Sequence, residues 1–256
     1  MDKTPREAIE FWDRRSAFFP RHDDSPGNYA DKVLAQIADH GISFRGKTVL
    51  DAGAGTGQFA IKLARLAKSV VALDISEGML AVCRADAEAL GVPNIEYVKS
   101  PLTDYLPPSK PDIAFCSMCP ALKDDQAKRW LLGSASGAVI YLGFNGYVYP
   151  GPMEGLIKLY GVERKLFNSG PDMENWLGAA GQTFARYPLT GNWHTSYPEA
   201  DGLEWCLTML KDYGVADPDP KAIKDSLAPF RDKATGRYVF ETPYFVDLLI
   251  WETKNP

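Results

Sequence analysis

Residues 49–57, with the sequence VLDAGAGTG, combine a short apolar run, an acid and three closely spaced glycines. Gly53, Gly55 and Gly57 would let the backbone pass close beneath a ligand, and a helix that begins after them would point free N–H groups at it. A second acid, Asp74, follows the next apolar run, where a carboxylate can accept hydrogen bonds from both hydroxyls of a ribose. Together these residues predict a site for an adenosine-containing cofactor.

A simpler interpretation exists for each of the two features. A glycine-rich turn can be only a turn, and an acid at the end of a strand can be only a solvated charge. Either feature alone leaves that interpretation open. Their occurrence in one β-α-β unit at this spacing argues against it.

The glycine spacing distinguishes between adenosine cofactors. Dinucleotide-binding loops have the pattern GxGxxG, whose third glycine allows close contact between helix and strand while the pyrophosphate lies at the helix N-terminus. Here the pattern is GxGxG, and Asp51 lies two residues before the first glycine. An acid there would repel a pyrophosphate but would attract the cationic amino group of a methionine. The loop therefore favours S-adenosylmethionine (SAM) over NAD.

Short β-branched runs alternate with helical patterns in the first 143 residues. This alternation predicts an α/β fold with a doubly wound, mostly parallel, seven-stranded Rossmann-like sheet. The predicted strands are residues 47–50, 69–73, 94–99, 113–117 and 138–143, a sixth strand before Trp193, and a final strand at 245–251. The predicted helices between strands are residues 59–66, 77–90 and 126–132.

The rest of the chain predicts decorations on this sheet. Residues 1–44 are predicted to form an N-terminal helical cap, and residues 45–256 the cofactor-binding domain. Helical insertions are expected at about 146–182 and 198–235, with helical patterns at 156–166, 173–180 and 203–213. In the cap, His40 is expected to end a helix beside Gly41.

The segment LDAGAGTG, followed by ALDIS and GML, resembles motif I and the acidic ribose loop of class I SAM-dependent methyltransferases. The resemblance covers residues 46–143. It implies that Asp51, Gly53 and Gly55 line the methionine end of the cofactor, that Asp74 holds the ribose, and that Ile75 and Met79 flank the adenine. The cofactor residues expected on this basis are Asp51, Gly53, Ala54, Gly55, Gln58, Asp74, Ile75, Met79, Ser100, Pro101, Leu102 and Ser117.

The sequence departs from this family at one position. The family often has an acid after its third strand that contacts the adenine amino group, whereas this chain has Ser100, Pro101 and Leu102. The adenine contact is therefore left open, with Ser100 or a backbone group as a substitute. Residues 116–120, CSMCP, occupy the position at which members of this family contact the transferred methyl group.

A sulfonium methyl group is already activated, so its transfer is an in-line displacement that mainly requires an acceptor atom held about 3 Å from the methyl carbon. A general base is useful only if the acceptor is protonated. His194 and Tyr29 are the catalytic candidates. Trp12, Met118, Trp193 and Tyr197 are candidates for acceptor binding, although large aromatic residues often only pack a core.

Composition limits the partners. The net charge is −5 and Lys/Arg residues do not cluster, which argues against a nucleic acid partner. No apolar stretch reaches the roughly 18 residues that span a bilayer, and the first residues do not have a signal peptide's pattern. We therefore expect a cytoplasmic protein without a membrane partner. Cys116 and Cys119 form a CxxC, but no second CxxC or nearby His accompanies them, so no metal is predicted.

These observations predict a methyltransferase that uses SAM and acts on a small molecule. Two alternatives remain at this point: a SAM-binding sensor or scaffold without catalysis, and an NAD-dependent oxidoreductase. The acceptor, the atom that is methylated and the oligomeric state are not predicted.

Overall fold

The computed structural model describes residues 4–146, 149, 151–163 and 169–253, and these residues contain a seven-stranded sheet. Its strands are β1 (Thr48–Ala52), β2 (Ser69–Asp74), β3 (Ile95–Lys99), β4 (Ile113–Ser117), β5 (Ala138–Phe144), β6 (Ala185–Tyr197) and β7 (Tyr238–Glu252). They lie in the order β3, β2, β1, β4, β5, β7, β6. Strands β1 to β5 pair in parallel, and β7 is antiparallel to β5. The predicted α/β class with a mostly parallel sheet is confirmed.

Helices connect the parallel strands as the alternation predicts. The helices are α1 (Pro5–Arg15), α2 (Tyr29–Asp39), α3 (Ala60–Leu66), α4 (Glu77–Ala89), α5 (Asp125–Leu132), α6 (Gly151–Leu159), α7 (Gly170–Ala179), α8 (Glu199–Asp212) and α9 (Pro220–Leu227). Ser76 is the N-cap of α4, where its side chain accepts a hydrogen bond from Met79 N at 3.1 Å. Helix α6 ends earlier than the predicted pattern over 156–166, of which residues 164–166 lie outside the described residues.

The last two strands differ from the prediction. Strand β6 includes Trp193, His194 and Tyr197, which were expected in a loop, and β7 begins at Tyr238 instead of residue 245. Pro188 and a glycine in β6 are turn-forming residues in sequence, but β6 is the edge strand, where proline is tolerated because one side of the strand has no partner.

The chain divides into two compact units. The first comprises residues 1–145, 167–189 and 246–256, and the second comprises residues 146–166 and 190–245. The helical cap belongs to the first unit, together with the parallel strands. The predicted division into a cap at 1–44 and a domain at 45–256 stays a prediction.

Each unit has a core of its own. In the first unit, strand residues such as Leu50, Ala114 and Val139 pack with Leu131 of α5 and Leu177 of α7. In the second unit, the core brings α6, α8 and α9 together with Tyr238; its buried members are Met153, Leu156, Ile157, Cys206, Leu210, Ile223, Leu227 and Tyr238. The parallel sheet is thus buried by helices of the first unit, which leaves its carboxyl edge to carry the loops of the site.

The cap is fixed to the sheet domain by polar contacts. The buried Lys62 of α3 donates to Asp31 of α2 at 2.7 Å. His40 is the C-cap of α2, as expected, and its Nδ1 lies 2.6 Å from the hydroxyl of Tyr187. Asp31 is therefore needed as the partner of Lys62, because its removal would leave a buried positive charge uncompensated.

Among the described residues, no helix combines the length and the apolar character needed to cross a bilayer.

Candidate functional site

The glycine loop after β1 is fixed by the end of the neighbouring strand. The carbonyl of Leu73 accepts hydrogen bonds from Gly53 N at 2.8 Å and from Ala54 N at 3.0 Å. Gly53 has φ +77°, and a Cβ built on it would lie 2.6 Å from Cys119 Sγ. Only glycine satisfies both conditions, because other residues are strained at this φ and have no room for a side chain.

Asp74 at the end of β2 ties the loop to the next helix. Its carboxylate accepts hydrogen bonds from Gly55 N at 2.8 Å and from Ser76 N at 2.9 Å, and the side chain is buried. Burial raises the pKa of Asp74, and the backbone donors oppose this shift. A carboxylate has about four acceptor positions, so acceptor capacity is left for further donors such as hydroxyls.

Asp51, in β1, carries a second buried carboxyl group. It is 2% exposed, and its Oδ2 has no hydrogen-bond partner within the protein. Burial, reinforced by the negative charge of Asp74, raises the pKa of Asp51 to about 8. A buried acceptor without a donor is costly. This carboxyl is therefore suited to a ligand that brings a donor or a positive charge.

The residues after β3 lie beside the same strand end. Ser100 N donates to the Asp74 carbonyl at 3.0 Å, and Ser100 Oγ donates to the carbonyl of Pro101 at 3.0 Å. Leu102 is buried and begins a short 3₁₀ helix. On the other side, Met79 is buried in α4 and Ile75 is half-buried. Ser100 and Ile75 thus flank Asp74 in the structure, and their contact with adenine stays a prediction.

The segment after β4 is strained. Met118 has φ +50°, the one positive φ of a non-glycine residue among the described residues, and its N–H donates to Leu142. Such conformations are costly and often occur at functional sites. Met118 separates Cys116 and Cys119, which are free and buried. A hydrogen bond with Cys119, together with burial, raises the pKa of Cys116 well above its usual range, so Cys116 stays a neutral thiol.

Aromatic rings join the cap to β4. The Tyr29 ring lies 6.0 Å from that of Phe59, which lies 4.6 Å from that of Phe115 in β4. The ring centroid of Trp12 in α1 lies 6.0 Å from that of Phe19, and Phe19 is the nearest side chain to a Cβ built on Gly55. The structure thus brings Tyr29 and Trp12 into the same unit as the glycine loop.

The other acceptor candidates belong to the second unit. Trp193 packs against Tyr244, and Tyr197 stacks on Trp205. His194 has 74% of its side chain exposed and lies 3.3 Å from Glu241. Trp193 and Tyr197 are half-buried and contact neighbouring aromatic rings. Their predicted role in acceptor binding stays a prediction.

Several residues next to the site were not predicted from sequence. Asp13 contacts Ser76 and Gly78, and the Pro20 carbonyl accepts from Thr56 Oγ1 at 2.5 Å. Gln58, a predicted cofactor residue, also donates to Pro20, at 3.4 Å. These contacts join positions 36 to 65 residues apart, and no local pattern encodes them.

A separate cavity of about 350 Å³ lies at the opposite edge of the sheet. Lys47, Asp112 and Gly137, near the amino ends of β1, β4 and β5, are among its lining residues. In open parallel sheets, ligands bind beyond the carboxyl ends of the strands. This cavity is therefore not part of the site. Within the described ranges, no group of three or more His, Cys, Asp or Glu side chains could hold a metal ion.

Comparison with known proteins supports the same region. Residues 49–135 match the family model described as a methyltransferase domain. The ubiquinone biosynthesis O-methyltransferase of Acinetobacter baylyi is 37% identical over 97 residues, 38% of this chain and 39% of that relative. The corresponding enzyme of Pseudomonas fluorescens is 34% identical over 90 residues, 35% of this chain and 36% of that relative. The chain thus spans about two fifths of the curated relatives it matches.

Two solved structures share the fold. The YcgJ protein of Bacillus subtilis has a TM-score of 0.54 at 17% identity, over 88% of this chain and all of that chain. The magnesium protoporphyrin IX methyltransferase of Synechocystis, with bound S-adenosylhomocysteine (SAH), has a TM-score of 0.52 at 18% identity, over 94% of this chain and 93% of that one. At these identities the likeness concerns the fold alone.

The sheet order, the glycine loop and the acid at the end of β2 define a class I methyltransferase domain. With the family match at residues 49–135, this part of the chain is a methyltransferase domain, and SAM is the cofactor that the comparisons support. The predicted family and cofactor are confirmed.

The raised pKa of Asp51 predicts a pH dependence of stability. Because the folded-state pKa of about 8 exceeds the ordinary value of 3.8, the folded protein binds the extra proton between these values. The resulting stability is present at low pH and is lost as the pH rises toward 8. Asp51→Asn removes this effect, so the parent should lose stability relative to the variant as the pH rises. The free energy of unfolding of the variant, minus that of the parent, should increase by more than about 1.4 kcal/mol from pH 5 to pH 8.5. This amount is the equivalent of one pKa unit.

Urea unfolding without cofactor at several pH values measures this difference. Asp112→Asn is the matched control: hydrogen bonds from Thr48 lower the pKa of Asp112, so its contribution to stability changes only in the acid range, and the difference from the parent should stay constant from pH 5 to pH 8.5. A difference between Asp51→Asn and the parent that is independent of pH would contradict the assignment.

Proposed function

We propose that this protein transfers the methyl group of SAM to a small-molecule acceptor by in-line displacement. The observation that carries the proposal is the buried Asp74 carboxylate. It holds Gly55 of the glycine loop and keeps acceptor capacity for a ribose, within the segment that matches a methyltransferase domain. A non-catalytic SAM sensor would share this arrangement, so the test must include methyl transfer.

The residues present fit the cofactor. The unpartnered Oδ2 of Asp51 suits the cationic amino group of the methionine part. An adjacent positive charge favours the ionised carboxylate and lowers its pKa. Binding near neutral pH should therefore release a proton from Asp51. Gly53, Ala54 and Gly55 would border the methionine part, and Asp74 would hold the ribose.

When bound, SAM supplies an activated methyl group. The chain's own residues then need to orient the acceptor and exclude water. Tyr29, Phe59 and Phe115 form an apolar wall of the first unit, and Met118 lies in the strained turn after β4. We propose that this wall and turn align the acceptor with the methyl group, and that Tyr29 is the candidate to receive or position a proton of the acceptor.

The class of acceptor is a further part of the proposal. The curated relatives carry the name O-methyltransferase, so an acceptor hydroxyl is the first class to test. The family model matches residues 49–135, so the segments outside this range are the natural place for contacts with the acceptor. The net charge of −5 favours a small molecule over a nucleic acid.

We expect the protein to bind SAH and SAM, and to bind NAD far more weakly, because the loop has Asp51 and GxGxG where a pyrophosphate site has a later glycine. Calorimetry in buffers of different ionisation enthalpy measures affinity and proton release together. The heat of SAH binding should depend on the buffer for the parent and less so for Asp51→Asn. Tight NAD binding without SAH binding would contradict the proposal.

Asp74→Ala should weaken SAH binding by about 1.5 to 3 kcal/mol, the usual scale for lost hydrogen bonds to a charged acceptor. Because Asp74 also accepts from Gly55 and Ser76, Asp74→Asn is the matched variant that keeps one acceptor oxygen without the charge. Its loss of affinity should be smaller. Titration calorimetry decides the matter, and parent-like affinity in Asp74→Ala would refute the ribose assignment.

Acceptor recognition predicts a different pattern. Tyr29→Phe or His194→Ala should lower methyl transfer while SAH affinity changes little, since Tyr29 packs against Phe59 and His194 lies beside Glu241, whereas Asp74 holds the glycine loop. Transfer from methyl-labelled SAM to fractionated metabolites, with hydroxyl-bearing acceptors tested first, supplies the assay. If both variants lose SAH binding and transfer in parallel, or lose neither, these residues are not the acceptor site.

A further inference from the structure

Helix α1 contacts the start of α4, immediately after the ribose acid. Asp13 accepts hydrogen bonds from Ser76 Oγ at 2.5 Å and from Gly78 N at 2.9 Å. Although partial burial raises the pKa of Asp13, the hydrogen bonds from Ser76 and Gly78 and the charge of Lys99 hold it below the usual value. Asp13 is therefore ionised at neutral pH, and its charge lies at the N-terminus of α4, where a negative charge is stabilising.

This contact continues to Asp74 through one residue. Ser76 is fully buried; its hydroxyl donates to Asp13, and its backbone N–H donates to Asp74 at 2.9 Å. Loss of Asp13 leaves the buried hydroxyl without this acceptor, so that the hydrogen bond from Met79 N alone holds the Ser76 side chain. The Ser76 N–H, one of the donors to the Asp74 carboxylate, would then be held less firmly in position.

The segment after α1 crosses the glycine loop. Thr56 Oγ1 donates to the Pro20 carbonyl at 2.5 Å, and Phe19 is the nearest side chain to a Cβ built on Gly55, at 3.9 Å. Arg21 forms an ion pair with Asp86 of α4. Residues 13–21 are thus attached on both sides of the position where Gly55 and Asp74 meet.

The packing of α1 depends on a glycine. A Cβ built on Gly78 would lie 2.7 Å from Ser16 Oγ and 3.2 Å from Asp13 Cα. Gly78 has an ordinary helical conformation, so glycine is not needed there for its backbone freedom. Its lack of a side chain instead allows α1 to pack closely against α4. Alanine there would favour α4 itself, because alanine is the better helix former, yet it would push α1 away.

We propose that residues 5–21 form part of the cofactor site, with Asp13 as a positioning residue that acts through Ser76 on Asp74, and with Phe19 lying over the bound cofactor. This inference rests on the proposed function. The cofactor then exchanges only when this segment is displaced. In this proposal α1 retains the cofactor. The sequence had instead suggested that α1 recognises the acceptor through Trp12.

The experiment compares Asp13→Ala, Asp13→Asn and Gly78→Ala with the parent. Gly178→Ala is the matched control, since it adds the same methyl group to α7 at a position with no atom within 4 Å. SAH affinity is measured by calorimetry and the SAH dissociation rate by stopped flow. Asp13→Ala and Gly78→Ala should release SAH about tenfold faster and bind it about tenfold more weakly, Asp13→Asn should recover part of the affinity, and Gly178→Ala should match the parent.

A second readout follows the segment directly. Trypsin should cleave after Arg14 and Arg15 more slowly in the parent when SAH is bound, and SAH should protect Gly78→Ala less. If Asp13→Ala does not fold, Gly78→Ala and the proteolysis of the parent still decide the question. Parent-like SAH release in Gly78→Ala, or a loss of methyl transfer with unchanged SAH binding, overturns the inference. Failure of the parent itself to bind SAH refutes the proposed function instead.

Discussion

The carboxylate of Asp74 is the interaction on which the rest of the site depends. It lies at the end of β2, is buried, and accepts from the backbone of Gly55 in one loop and of Ser76 before α4. One side chain thus sets the separation of the glycine loop and the following helix. A buried charge is tolerated only because backbone donors surround it. Those donors also fix the direction in which its remaining lone pairs point.

Asp51 contrasts with Asp74 in the same surroundings. Asp74 has several backbone donors, whereas Asp51 retains an oxygen without a partner and has a pKa of about 8. Under the proposed function, Asp74 would accept from the ribose hydroxyls and Asp51 would face the cationic amino group of the methionine part. Perturbed carboxyl groups of this kind are common at functional sites.

The N-terminal segment adds a contribution from outside the sheet. Asp13 and the Pro20 carbonyl supply acceptors to Ser76 and Thr56, two hydroxyls next to the cofactor residues. Two other side chains also lie against the glycine loop, Cys119 next to Gly53 and Phe19 next to Gly55. Cofactor binding and the position of α1 are coupled through these contacts, since the same residues take part in both.

The sequence by itself determined the parallel strands, the glycine loop and the acid after β2, because each is encoded in a local pattern of apolar runs, glycines and charges. It also predicted the family and the cofactor. Only the tertiary structure decided that Asp13 contacts Ser76, that Cys119 lies beneath Gly53, and that Trp193 and His194 belong to a long edge strand. These features join residues far apart in the chain, and local propensity carries no information about which distant side chain will be the partner.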